Sequence, residues 1–439
     1  MQTHNLESSG SISKMASTST GKAQSFVLPL VLIVCLFFLW GMGSSINDIL
    51  ITQFKKSFKL TDFQSGLVQS AFYLGYFLFA IPASLVMRKY DYKRGIVVGL
   101  LLFAAGAFLF YPAAEMASYP FFLFALFVIA SGLTFLETAG NPYVSALGDP
   151  QTASFRLNLA QAFNPIGCIT GILIGQHFIL TGVEYTKEQL AKMTPEAVHS
   201  YYTAEAHTVQ MPYMVIGLAI VLIAMVFLLT KFPVVKDEET HGKSSAVDTL
   251  KYIWGKRHFK QAVLAQFFYI GAQVCIWSYL IRYIQGTIPG TPEKTAANFL
   301  TISLVTFTAG RFIGTMLLKK VKDHNLLWVY AAINIALTAV ALVFPGTIGL
   351  WALVATSFFM SIMYPTIFSL GIRGLGEHTK LAASVLVMAI IGGALITPIM
   401  GLVSVHFGIG NAVVVPMVCF AVIAYFGIRG YREKSEKLD

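Results

Sequence analysis

Apolar residues in this chain fall in runs of about 20, separated by short polar breaks, over nearly its whole length. A run of about that size crosses the hydrocarbon core of a bilayer as a helix. Twelve such spans are predicted, near residues 26–53, 62–87, 95–112, 120–147, 155–182, 210–232, 260–284, 295–318, 326–345, 349–372, 380–406 and 411–430. The one long charged insertion near mid-chain, KFPVVKDEETHGKSSAVDTLKYIWGKRHFK, separates spans six and seven. The expected organisation is a Ser/Thr-rich disordered tail at 1–25, a six-helix bundle at 26–232 and a cytoplasmic linker at 233–259. A second six-helix bundle follows at 260–430, then a tail at 431–439. The first tail has no apolar core and does not read as a cleaved signal. The expected fold class is an all-α membrane protein with twelve transmembrane helices in two pseudo-symmetric bundles.

Composition agrees with that pattern. Of 439 residues, 56% are hydrophobic and 12% charged, about half the roughly 25% charge of soluble domains. A cytosolic enzyme and a secreted disulfide scaffold are excluded. Cys35, Cys168, Cys275 and Cys419 all lie in apolar stretches without metal-ligand spacing, so they read as small buried hydrophobes. The net charge of +10 would suit nucleic acid, but its placement says otherwise. With the N-terminus inside, 23 Lys and Arg fall on the cytoplasmic side and 7 outside, and Arg311 lies within span eight. Basic loops stay cytoplasmic, so the excess is a topology signal that places both ends in the cytoplasm. No nucleic-acid partner is expected.

The halves echo each other. Pro142 to Gly148 closes span four and Pro365 to Gly371 closes span ten, both with the pattern P-x4-L-G and 223 residues apart. Six plus six helices around a cytoplasmic linker is a layout of transporters whose halves rock about a midplane site.

A carboxylate at the bilayer centre costs about 2.5–3.5 kcal/mol on insertion scales. Two acids sit clearly inside the spans, Asp48 and Glu137, and spans seven to twelve hold none. Burial penalises the charged form of a carboxyl, so such a group can take up a proton and release it when water or substrate arrives. Asp48 lies roughly 9 Å from the outer end of span one and Glu137 roughly 25 Å from the outer start of span four, depths that suit a relay. Arg311 is the deep basic residue, read either as a partner of helix-end carbonyls or as a charge partner of the two acids.

Polar groups share single helix faces: Trp40, Ser44, Asn47 and Asp48 in span one, and Gln266, Tyr269, Gln273 and Trp277 in span seven. Span five adds Asn158, Gln161 and Asn164, and span ten Ser357, Ser361 and Tyr364. In lipid these faces must turn inward, for interhelical hydrogen bonds or for a substrate. Amides offer donors and acceptors together and an indole offers a flat apolar face, a combination that suits a small neutral sugar. An anionic substrate would require several cavity arginines.

These stretches together resemble the fucose permease family of the major facilitator superfamily, sugar:proton symporters, over roughly residues 24–430. The resemblance rests on FFLWGMGSSINDIL, FQSGLVQSAFYLGYF, FLETAGNPYV, FRLNLAQAFNPIG, VLAQFFYIGAQVCIWSYLIRY and MSIMYPTIFSLGI. It implies the major facilitator fold, Asp48 and Glu137 as proton-coupling acids, sugar contact by Glu137, and sugar binding by Gln161 and Asn164. Two features depart from the family. Ser44-Ser45 stands where the bacterial fucose permease has two asparagines, and MRKYDYKRG is a degenerate form of the superfamily's loop signature. Members of the family accept fucose, glucose, galactose or N-acetylglucosamine, and some use sodium.

An intramembrane protease would need a second membrane aspartate or a His-Glu-x-x-His motif, and neither occurs. The expectation is a monomeric importer of a neutral monosaccharide, L-fucose first, in the bacterial inner membrane, with the proton as coupling ion and no cofactor, metal or catalytic residue. The expected sugar site joins Trp40, Asn47, Glu137, Gln161, Asn164, Gln273, Trp277 and Tyr364. A sodium-coupled or uncoupled carrier of another sugar is the alternative.

Overall fold

The computed structural model describes residues 27–58, 62–147, 149–179, 189, 192–232 and 245–432. The expected tail at 1–25 and most of the linker lie outside these residues. Eleven segments are long and apolar enough to cross a membrane, and the shorter apolar stretch Val31–Ile46 inside the first helix makes the twelfth. The described helices pack as two groups side by side.

In the first half, α1 (Val27–Ser57), α2 (Asp62–Lys89), α3 (Tyr92–Glu115) and α4 (Tyr119–Ala146) are continuous. Span five is broken into α5 (Ala153–Gln161) and α6 (Asn164–Ile174), because Pro165 has no amide hydrogen to donate to the Gln161 carbonyl. Span six, α8 (Gln210–Leu229), is preceded by a short helix, α7 (Pro195–His207).

Part of the expected linker is itself helical, α9 (Ala246–Gly255). The second half contains α10 (Arg257–Thr287), α11 (Glu293–Leu317) and α12 (Asp323–Val343). Span ten is split into α13 (Thr347–Met360) and α14 (Met363–Ile372), and span eleven into α15 (Thr379–Met388) and α16 (Gly392–Phe407). Span twelve is α17 (Val414–Tyr425), closed by a π turn at Phe426–Gly430.

Close backbone approach sets the two seams that frame the centre. A Cβ on Gly41 would lie 2.0 Å from the Asn164 carbonyl oxygen, and one on Gly167 would lie 2.0 Å from that of Phe38, so α1 and α6 cross almost in backbone contact. The second half repeats the device, since a Cβ on Gly392 would lie 2.0 Å from the Phe267 carbonyl oxygen at the crossing of α10 and α16. With lipid as apolar as any side chain, such close packing is what holds membrane helices together.

The halves meet at the end that carries the basic loops. Ser154 Oγ donates to Asp323 Oδ2 at 2.9 Å and accepts from Ser369 Oγ at 3.1 Å, and Asn158 Nδ2 donates to Thr366 Oγ1 at 3.1 Å. Arg373 also bonds Asp323, and the Lys380 ammonium lies 5.1 Å above the Tyr92 ring. Ser154 and Asn158 lie between that end and Gln161 along α5, so these bonds close the centre of the molecule from the basic-loop side.

Candidate functional site

Between the halves, at the level of the span-five break, lies a cavity of about 270 Å³. That is close to the small end of ligand pockets, which run from about 300 Å³. From the first half its wall takes Trp40, Ser44, Tyr76, Gln161 and Asn164, and from the second Tyr269, Gln273, Trp277, Phe307, Arg311 and Tyr364. Seven of the expected site residues therefore converge, with Arg311 among them.

Six of the seven are held by a hydrogen bond. The Trp40 indole N–H donates to Tyr76 OH at 2.6 Å, and that of Trp277 donates to Ser357 Oγ at 3.1 Å. Ser357 in turn bonds Ser303 Oγ at 2.6 Å. Both indoles thus have fixed N–H groups and leave their rings to the cavity, with Trp40 6.3 Å from the Tyr364 ring and Trp277 5.1 Å from Phe307. Asn164 Nδ2 donates to the Phe37 carbonyl at 3.3 Å, across the α1–α6 seam.

Gln161 links three elements. Its Nε2 donates to Asn141 Oδ1 at 2.9 Å, and its Oε1 accepts from Arg311 Nη1 at 3.2 Å. The same Nη1 reaches the Gln161 carbonyl oxygen at 3.5 Å, the acceptor that Pro165 leaves without its helical donor. The two readings of Arg311 divide here: its described bonds go to a helix-end carbonyl and an amide, not to a carboxylate. It also lies 5.0 Å over the Phe307 ring.

Glu137 is 2% exposed and does not line the cavity, although it was expected to touch sugar. Its Oε1 accepts from the Tyr364 hydroxyl, while its Oε2 has no partner among the described residues. Tyr364 thus stands between the cavity and the acid, with its ring on the wall and its hydroxyl on Glu137. Asn47 and Asp48 lie on α1, and their side chains fall outside the described residues.

The sequence reading missed Tyr76 and Phe307, which brace the two indoles. Their only signal was an aromatic on an otherwise apolar span, which is indistinguishable from core. It also missed Glu205, a second buried acid among the described residues at 2% exposure, which accepts from Gln53 Nε2 at 2.9 Å at the C-terminal end of α1.

The Major Facilitator Superfamily model matches residues 32–398. The L-fucose-proton symporter of Escherichia coli is 48% identical over 410 residues, 92% of this chain and 94% of that protein. The glucose/galactose transporter of Brucella abortus is 36% identical over 414 residues, 94% of this chain and 96% of that protein. A solved major facilitator transporter, FucP, in the outward conformation superposes with a TM-score of 0.85 at 47% identity, covering 92% of this chain and 99% of that one. The chain belongs to the fucose permease family of the Major Facilitator Superfamily, a family of transporters and not of enzymes.

Proposed function

We propose that this chain imports L-fucose by proton symport with alternating access. In this reading it sits in the bacterial inner membrane as a monomer, with both termini cytoplasmic and bundles bounded near 26–232 and 260–430. The observation that carries the reading is the Tyr364–Glu137 bond. It ties a buried carboxyl of the first half to the second half, through a ring that forms part of the cavity wall. A sugar hydroxyl that displaces Tyr364 from Glu137 would alter the acid's hydrogen bonding and the contact between the halves in one event. Coupling requires that proton and sugar bias the same equilibrium. Asp48, on the same helix as Trp40 and Ser44, is the second proton carrier in this reading.

The lining supports a neutral hexose. Gln161, Asn164 and Gln273 supply donors and acceptors, and Trp40 and Trp277 supply flat faces. The 48% identity to a named L-fucose-proton symporter makes that sugar the first choice. Glucose or galactose is the second reading, favoured by the Brucella relative and by Ser44 on the wall, where the bacterial fucose permease has an asparagine.

The deciding experiment is uptake of labelled L-fucose into proteoliposomes under an imposed pH gradient, with other sugars as competitors. Accumulation driven by protons and indifferent to sodium is expected, since sodium sites demand a cage of oxygen ligands that the sequence does not suggest. Strict sodium dependence at constant pH would make Asp48 a candidate sodium ligand instead. Competition by glucose or galactose stronger than by L-fucose itself would select the second reading.

A further inference from the structure

A second cleft, of about 350 Å³, lies at the basic-loop end between the first turn of α12 and the end of α17. Three features build it. The Phe426–Gly430 π turn, with Tyr431 N donating to the Phe426 carbonyl at 3.0 Å, widens the last turn of span twelve. Single π turns recur at functional sites. Gly427 lets that turn close on α12, because a Cβ there would lie 2.9 Å from Trp328 N. The His324 ring then stacks on Tyr431, with centroids 4.1 Å apart at 14°, and the Arg432 guanidinium stands 6.0 Å from the Tyr431 centroid.

Basic side chains flank the cleft among the described residues. Arg432 lines the cleft, and Arg429 in the π turn and Lys320 and Lys322 on the turn that leads into α12 are exposed nearby in the chain. Asp323, the neighbouring acid, is taken by Arg373 and by Ser154 of the first half. The apolar part of the wall is uncovered, with Trp328 36% and Ile428 46% exposed.

We infer that this cleft holds the headgroup of an anionic phospholipid. Basic groups meet the phosphate, while the exposed aromatic and aliphatic side chains meet the start of the acyl chains. Aromatic and basic residues take these places at a membrane–water interface. A freely diffusing anion would gain from the basic lip but not from Trp328 or Ile428, so the apolar wall selects lipid. The inference is independent of which sugar is carried. The cleft adjoins the contact between the halves, because His324 Nδ1 lies 3.4 Å from Asp323 Oδ1.

The test is native mass spectrometry of the purified full chain with phosphatidylglycerol or phosphatidylcholine added. Phosphatidylglycerol should be retained in preference. Arg432→Gln should lower that retention by about fivefold, the weight of one basic side chain at an anionic surface. Lys251→Gln, an exposed basic residue on α9, should retain lipid like the wild type. Equal retention of the two lipids, or equal loss in both variants, would overturn the inference. So would displacement of phosphatidylglycerol by excess inorganic phosphate, which would mark a site for a free anion.

Discussion

At Gln161 every polar atom of the amide head already has work: Nε2 bonds Asn141, and Oε1 bonds Arg311. Gln161→Ala takes the side-chain acceptor from a buried guanidinium, strands the Asn141 amide oxygen and removes a proposed sugar contact. It should weaken sugar binding by about 1–3 kcal/mol, the usual cost of an unpaired buried group. Isothermal titration with the transported sugar measures it, and unchanged affinity would mean that Gln161 only packs. The two acids separate by a different assay. Asp48→Asn resembles a carboxyl that never releases its proton, so accumulation against a gradient should fail while exchange of labelled for unlabelled sugar survives. Glu137→Ala removes the acceptor of Tyr364, so both activities should fail. Continued accumulation by Asp48→Asn would make that acid structural. Residue types were legible in the sequence, because a polar group in an apolar run stands out. Their partners were not: Gln161 meets Arg311 from 150 residues away, and no local pattern encodes that contact.

The hydrophobic pattern gives the elements well and their interruptions poorly. Twelve runs predict twelve crossings, yet a break such as the one after Gln161 leaves the run apolar and so leaves no mark on hydropathy. Pro165 is the readable sign. Its missing amide frees the Gln161 carbonyl, and Arg311 of the opposite half answers it at 3.5 Å. Pro165→Ala would return a donor to that carbonyl and let α5 and α6 run on. Alanine is also the better helix former, and the proline lies in the first turn of α6, where it is tolerated. The variant should therefore keep or raise its thermal midpoint while its transport rate falls, as seen by scanning fluorimetry beside uptake. A lower midpoint with normal uptake would show that the break has no role in the site. The C-terminal end of α1 differs from expectation for a related reason. The apolar run fades near residue 53, but the helix continues to Ser57, with Gln53 Nε2 bonded to the Glu205 carbonyl at 2.7 Å and carboxylate at 2.9 Å. Asp48 is then about 14 Å from that end, at 1.5 Å per residue, which is deeper than the sequence alone implied.

For the whole molecule, the repeat and the basic loops made two halves readable, but which end is closed depends on pairs no repeat reveals, such as Ser154 with Asp323, 169 residues apart. Asp323 holds Arg373 of its own half and Ser154 of the other, so its carboxylate fastens the basic-loop end shut. Opening toward that side must break the Ser154 bond, whereas opening toward the other side keeps it. A contact made in one state only shifts the equilibrium by its own free energy. A hydrogen bond to a charged group contributes about 1 kcal/mol more than the neutral one that an asparagine keeps, so Asp323→Asn should raise the population open at the basic-loop end by about fivefold. Ser369 is 2% exposed inside this contact and can report on it as Ser369→Cys in a background free of other cysteines. An impermeant maleimide supplied from the basic-loop side should label that cysteine faster when Asp323→Asn is present. Added sugar, acting from the opposite side, should slow labelling in both proteins if it favours the arrangement seen here. Sugar affinity measured from that opposite side should fall in step with the lost population, since a site available only part of the time binds more weakly by that fraction. Equal labelling rates with and without Asp323→Asn would show that the Ser154–Asp323 bond does not fasten the halves, and the closure would then rest on Asn158 with Thr366 and on Lys380 over Tyr92.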